Sequence, residues 1–397
     1  MKILMLTPYL PYPPSSGGQI RSFNLIKQLS KDHQITLCSL IKYEEERKYG
    51  KLLEPYCDKI HIFKRSSKPW TIKNILKTGM SGFPFLVIRN FSSEEEKALP
   101  EIIKKGDFDI IHAETFYVSP HIPKTKIPIV LVDQTIEYEV YRHFVSSFRI
   151  KALRPMLSID VLKIKYWESF YWKKAARVVA VSEQDARAMK NIVPGLKVEV
   201  VPNGVGEDLI DKVPIHFNKT ILFVGNYAWL QNIEAARLLA TKVFPKILSQ
   251  IPDAKLTIVG QNTGKITDLV SENISLVDLA VDDIEGIKKA YCTSGILVAP
   301  LFGPGGTRLK ILGAMASMLP VVTTRVGISG IDAKEGESVL VSNEIEEIAN
   351  LAVKLLKDRN LYKKISTNAR NLVDEKYAYG EIAKKLTSVY EEVKGEK

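Results

Sequence analysis

Cysteine is scarce: three in 397 residues, Cys38, Cys57 and Cys292. They are odd in number, scattered and lack metal-ligand spacing, which argues against a disulfide framework or a thiolate metal site; reduced thiols in a cytoplasmic protein are expected. Long apolar runs are also missing. None approaches the ~18 residues that span a bilayer. The apolar stretch near Met1 is too short for a signal sequence and reads as a first strand. Serine-hydrolase, HExxH and Walker-lysine patterns are absent, so nucleophilic hydrolysis, zinc proteolysis and P-loop chemistry have no foothold. No GxGxxG follows the first strand, which weighs against a dinucleotide cofactor.

Acid is missing from particular places. From Lys59 to Ser93 there are seven basic residues and no acid. From Val140 to Arg177 nine basic residues face only Asp160 and Glu168. The net charge of +11 arises in the first half, where residues 1–200 carry 32 Lys+Arg against 21 Asp+Glu, while residues 201–397 carry 24 of each. Both basic segments are interleaved with aromatics, among them Phe63, Trp70, Tyr166, Trp167, Phe170 and Trp172. That mixture suits an anionic membrane interface; a basic surface helix with aromatic core residues is the plainer alternative. Nucleic acid would accept the charge, but no nucleic-acid fold motif accompanies it.

What is present is alternation. Short apolar runs rich in Val and Ile predict strands at Ile3–Leu6, Ile35–Leu40, Lys59–Phe63, Asp109–His112, Pro128–Val132, Arg177–Val181 and Val198–Val201. A second series falls at Thr220–Val224, Lys255–Val259, Ile274–Val277, Gly295–Ala299, Pro320–Thr323 and Ser338–Val341. Continuous rather than alternating apolarity marks parallel strands buried on both faces. Helical stripes fill the gaps, for example Ile20, Phe23, Ile26 and Leu29. The expected class is α/β, two Rossmann-like doubly wound domains, with a break near Val201-Pro-Asn-Gly204. The amphipathic segment Tyr379–Val393 closes the chain.

The most informative stretch runs from Gly303 through Gly305, Gly306, Thr307, Arg308 and Lys310 to Gly313. It is a glycine-rich turn between a strand and a helix, the arrangement that sets backbone N–H groups and a helix N-terminus against a phosphate. Arg308, Lys310 and Thr307 stand where cations and a hydroxyl reach an anion; a tight turn with two solvated bases is the alternative. Gly17 and Gly18 repeat the pattern after the first strand. Gly225 and Asn226 close the first strand of the second half, where doubly wound sheets bind ligands. His112 is expected to end its strand and to donate to a substrate or move a proton there, although a lone histidine is more often structural. Asp133 and Glu137 follow the next strand and read as capping or surface groups.

In order and spacing these elements resemble the retaining GT-B glycosyltransferases of family 4: the opening strand with Gly17 and Gly18, Asp109-Ile-Ile-His112, Val181-Ser-Glu183, Val201-Pro-Asn-Gly204, Phe223-Val-Gly225-Asn226 with Trp229 and Asn232, and Ala299-Pro300 to Pro320-Val-Val322. The resemblance implies an acceptor-binding domain over 1–205, a nucleotide-sugar-binding domain over 206–378 and a helix over 379–397 returning to the first, the two domains facing a cleft. It implies that His112 lies near the transferred sugar as a catalytic residue, that Arg308 and Lys310 meet the donor diphosphate, and that no metal or other cofactor is needed. Two departures stand out. Gly305 and Gly313 occupy the positions of the family's two usual glutamates, and Asn226 and Gln231 replace its usual Arg and Lys. Gly313 in particular looks like a vacancy for a ribose-binding carboxylate, so that Gly313→Glu should tighten nucleotide binding.

The expected activity is transfer of a sugar from a nucleotide-sugar to a lipid-linked or polysaccharide-precursor acceptor, by a cytoplasmic protein on the inner face of an anionic membrane. A nucleotide-sugar epimerase of the same architecture, or a binding protein that has lost its donor site, are the alternatives.

Overall fold

A computed structural model describes residues 1–148, 150–206, 217–303 and 308–396. It divides into two units, Met1–Pro202 with Ile382–Lys397, and Asn203–Glu381.

The first unit is built on β1 (Lys2–Thr7), β2 (Gln34–Ile41), β3 (Lys59–Lys64), β4 (Ile110–Glu114), β5 (Ile129–Asp133), β6 (Arg177–Ala180) and β7 (Val198–Val200). They form one sheet in the order β3-β2-β1-β4-β5-β6-β7, every pairing parallel. Its helices are α1 (Gly17–Leu29), α2 (Ile72–Met80), α3 (Phe85–Asn90), α4 (Ser93–Gly106), α5 (Glu137–Ser146), α6 (Arg154–Lys174) and α7 (Glu183–Ile192).

The second unit carries β8 (Thr220–Asn226), β9 (Lys255–Gln261), β10 (Ile274–Asp278), β11 (Ile296–Ala299), β12 (Val321–Thr323) and β13 (Leu340–Val341), again all parallel, in the order β10-β9-β8-β11-β12-β13. Around it lie α8 (Leu230–Leu238), α9 (Phe244–Leu248), α10 (Ile284–Thr293), α11 (Leu309–Ala316), α12 (Arg325–Ile328), α13 (Ile345–Lys357) and α14 (Arg359–Lys376). The last helix, α15 (Tyr379–Gly395), belongs from Ile382 onward to the first unit. There Leu386, Val389, Tyr390 and Val393 are buried, while Lys394 reaches Asp109 at 2.8 Å and Glu396 meets Arg177 at 2.6 Å.

The expected strands are all present and the two-Rossmann class holds. Each sheet reverses its strand order beside its first strand, between β1 and β4 in one unit and between β8 and β11 in the other. Such a switch point opens a crevice beyond the carboxyl ends of the strands, and Gly17, Gly18 and His112 lie at the first of these places, Gly225, Asn226, Arg308 and Lys310 at the second. Among the described residues no helix is long and apolar enough to cross a membrane.

Candidate functional site

At the switch point of the second unit, Gly225 and Gly260 pair one residue before the ends of β8 and β9. A Cβ on Gly260 (φ +144°) would lie 1.8 Å from the Gly225 carbonyl oxygen, so the close approach requires glycine. Asn226 follows at the strand end. Its side-chain oxygen accepts from the Ala228 amide at 2.9 Å and from Asn262 Nδ2 at 2.9 Å, and its Nδ2 donates to Gln261 at 2.8 Å. Its carbonyl accepts from Asn232 Nδ2 at 2.8 Å. Asn232 Oδ1 in turn accepts from Lys310 Nζ at 2.6 Å. A chain of neutral amides thus runs from the ends of β8 and β9 to a single ammonium.

Lys310 lies in the first turn of α11. Its ammonium sits 4.5 Å from the centroid of the Phe223 ring. Burial, with a smaller contribution from the charge of Arg308, pushes its pKa down to about 7. Arg308 directs a guanidinium N–H to the Gly303 carbonyl at 2.6 Å. Two cations therefore stand at the N-terminal end of a helix, where the macrodipole also favours an anion. Gly305, Gly306 and Thr307 lie outside the described residues.

Gly313 is not an open vacancy. It is buried in α11, and a Cβ there would meet the Tyr291 ring and hydroxyl at 3.0 Å. Tyr291 is itself buried in α10 and donates its hydroxyl to the Lys310 carbonyl at 3.2 Å. A glutamate at 313 would therefore need the Tyr291 ring to give by a few tenths of an ångström.

In the first unit the switch point holds a charged cluster. β4 runs two residues beyond the expected end, to Glu114. His112 is therefore inside the strand and fully buried rather than at its tip. Its Nε2 donates to Glu114 Oε2 at 2.7 Å, and its Nδ1 lies 2.5 Å from the Tyr390 hydroxyl on α15. Both ring nitrogens are engaged within the protein. The strand period of two puts His112 and Glu114 on one face. Glu114 also approaches Arg21 Nε of α1 at 3.7 Å and accepts from Gln134 at 2.5 Å, while Gln134 donates to the Tyr9 hydroxyl at 3.2 Å. Burial pushes the Glu114 carboxyl up, but His112, Arg21 and Gln134 outweigh it and hold it below the usual carboxylate range. Arg21 is anchored by its NH1 on the Pro202 carbonyl at 2.7 Å.

Gly17 and Gly18 form the first turn of α1. The reason for Gly18 is Tyr9, whose hydroxyl would lie 2.0 Å from a Cβ there. Ser16 caps the helix, accepting from the Gln19 amide. Asp133 is fully buried and accepts from the Phe116 amide at 2.9 Å and Trp172 Nε1 at 2.5 Å. Burial above all raises it to about 7. Glu137 opens α5, and its amide donates to the buried Glu168 at 2.7 Å. Among the described residues no group of three or more His, Cys, Asp or Glu is placed to hold a metal ion.

Sequence reasoning passed over Glu114, Tyr9, Arg21 and Tyr390 in the first unit, and Asn232's hold on Lys310 and Tyr291's packing on Gly313 in the second. Only Glu114 carried a signal, two residues from His112 on one strand.

The profile described as Glycosyltransferase Family 4 matches residues 15–209, and that described as Glycosyl transferases group 1 matches residues 218–358. The chain belongs to the family 4, group 1 glycosyltransferases. One family relative is a 44.6 kDa protein in the cps region of Klebsiella pneumoniae, 24% identical over 98% of this chain and 99% of that one. Another is the N-acetyl-α-D-glucosaminyl L-malate synthase of Bacillus anthracis, 24% identical over 74% and 77%. Among solved structures, TarM of S. aureus, determined with UDP and α-GlcNAc-glycerol, shares the fold with a TM-score of 0.70 at 12% identity, over 98% of this chain and 99% of that one. The family assignment makes the protein a glycosyltransferase and does not favour an epimerase.

Proposed function

We propose that the protein is a retaining glycosyltransferase that takes a sugar from a nucleoside-diphosphate donor bound at the switch point of the second unit. The observation that carries this reading is the placement of Arg308 and Lys310 at the start of α11, with Lys310 oriented by Asn232. In the reaction the bond from the sugar's anomeric carbon to the diphosphate oxygen breaks, a bond from an acceptor hydroxyl oxygen forms on the same face, and the hydroxyl proton passes to the leaving diphosphate. The developing negative charge is what needs stabilising, and two cations and a helix N-terminus suit that task. No metal is assigned a part.

His112 enters this reading through Glu114 rather than by touching substrate: His112, itself held by Tyr390, and Arg21 fix the Glu114 carboxylate at the carboxyl edge of the first sheet, which we assign to the acceptor side. The acceptor is proposed to be a lipid-linked or saccharide precursor handled at the inner face of an anionic membrane. The α-D-glucosaminyl linkage named for the Bacillus anthracis relative and for the ligand of TarM supports retention, and the saccharide Fondaparinux bound to TarM supports a saccharide acceptor. Calorimetric titration with UDP and GDP tests the donor assignment. Saturable binding of one of them, weakened at least tenfold in Lys310→Ala, is expected; binding of neither overturns it.

A further inference from the structure

Amphipathic helices normally turn their apolar face inward. Helix α2 does the opposite. Its inward residue is Asn74, which bonds Ser66 Oγ at 3.2 Å and the Pro69 carbonyl at 2.9 Å. Ile72, Ile75, Leu76 and Met80, at helical spacing i, i+3, i+4 and i+8, face solvent; Ile72 is 78% and Met80 89% exposed. Helix α6 carries a second outward stripe. Val161, Ile164, Glu168 and Trp172 are buried, while Met156, Ile159, Leu162 and Tyr166 on the other side are each about 60% exposed.

The two stripes are tied together. Lys163, next to Leu162, donates to the carbonyls of Thr78 at 2.8 Å and Ser81 at 2.9 Å, on either side of Met80. Trp167 donates to the Gly82 carbonyl at 2.8 Å and stacks on Phe83 at 4.3 Å. Trp70, just before α2 and 65% exposed, stacks on Phe85. Lys68, Lys73, Lys77, Lys151 and Lys165 are exposed along the same helices and their leads. Between Arg142 and Trp167 the one acid is Asp160, and it is occupied by the Phe85 amide at 2.9 Å.

An apolar stripe with a cationic rim defines its occupant by charge. Two copies of this face would bring like charges together, and lysine is depleted from protein interfaces. An anionic bilayer offers an apolar layer beneath negative headgroups. We propose that α2 and the first half of α6 form one docking platform that inserts its apolar stripes shallowly into an anionic membrane. This rests on the membrane-facing acceptor reading and deepens it: attachment is by insertion as well as by charge.

The test uses the full chain with vesicles of phosphatidylcholine alone or mixed with phosphatidylglycerol, compared with a variant carrying Ile72→Ser, Leu76→Ser, Ile159→Ser and Leu162→Ser. These side chains are exposed, so the fold does not depend on them. Wild type should bind the mixed vesicles at least tenfold more tightly than the neutral ones and keep part of that binding in high salt, with Trp70 fluorescence quenched by brominated lipid. The serine variant should lose binding by about tenfold or more. A Lys73→Glu, Lys77→Glu, Lys165→Glu variant should lose the preference for phosphatidylglycerol. Unchanged vesicle binding by the serine variant, equal binding of both lipids by wild type, complete release by salt, or a concentration-dependent dimer abolished by the serine changes would each overturn the proposal. UDP or GDP titration of the same proteins keeps the readings apart: vesicle binding without nucleotide binding sinks the donor assignment alone, and the reverse sinks the platform alone.

Discussion

The two units share one topology and use it in opposite ways. In the first, charge is buried at the switch point, where Arg21, His112 and Glu114 are fully enclosed, while apolar side chains stand in solvent on α2 and α6. In the second, the switch point is lined by neutral amides around one half-buried ammonium, and the exposed apolar residues are scattered, Val270 and Val281 in connections and Val326 on α12, without a helical stripe. The difference teaches that sheet order fixes where a ligand edge lies, not what chemistry is placed there. A buried ion pair preorganises a carboxylate. A desolvated lysine among amides keeps a charge whose value depends on what arrives.

The largest break in this comparison is expected from Glu114→Ala. Removing one partner of a buried pair strands the Arg21 charge and costs about 3–5 kcal/mol. Urea unfolding should show the transition of the first unit moving to lower denaturant while that of the second stays in place; a single unchanged transition would show that the cluster does not hold the first unit together. Next is Lys310→Ala, which should lower turnover by ~10² if the ammonium meets the leaving diphosphate, with little change in unfolding. Near-normal turnover would remove Lys310 from the site.

The third prediction sharpens the contrast through pH. Free Lys310 titrates at about 7 because burial disfavours its charge. A bound diphosphate favours the charge and raises that pKa, so above about pH 7 the complex binds more protons than the free protein. Nucleotide affinity should then fall as pH rises above about 7, by up to about tenfold per pH unit. Below that the lysine is charged in both states and contributes no slope. Calorimetry across this window in buffers of different ionisation enthalpy checks both the slope and the proton uptake. The smallest effect concerns Gly313. With Tyr291 packed on it, Gly313→Glu alone should leave nucleotide affinity within about threefold or weaken it. Removing the ring as well, in Tyr291→Ala with Gly313→Glu, should raise affinity above that of the single variant if the carboxylate can then reach the ribose.

Much of the fold was legible because parallel strands buried on both faces read as apolar runs. The boundary error at β4 has the same origin: His112 and Glu114 are polar, so an apolar run seemed to stop where the hydrogen-bonded strand continued. Arg308 and Lys310 were legible from the strand, turn and helix around them. Their setting was not, since Asn232 is 78 residues from Lys310 and Tyr390 is 278 from His112. No local pattern encodes such distances. The basic, aromatic character of the two early segments was also plain, but an apolar stripe at helical spacing reads the same whether it faces core or solvent.

The sequence by itself therefore determined the α/β class, the succession of strands and the charge asymmetry between its halves. These are local properties of composition and period. Only the tertiary structure decided that His112 is enclosed by Glu114 and Tyr390, that Tyr291 fills the place beside Gly313, and that the stripes of α2 and α6 face outward. Each of these depends on which distant side chain comes to lie against the group in question, and packing alone sets that.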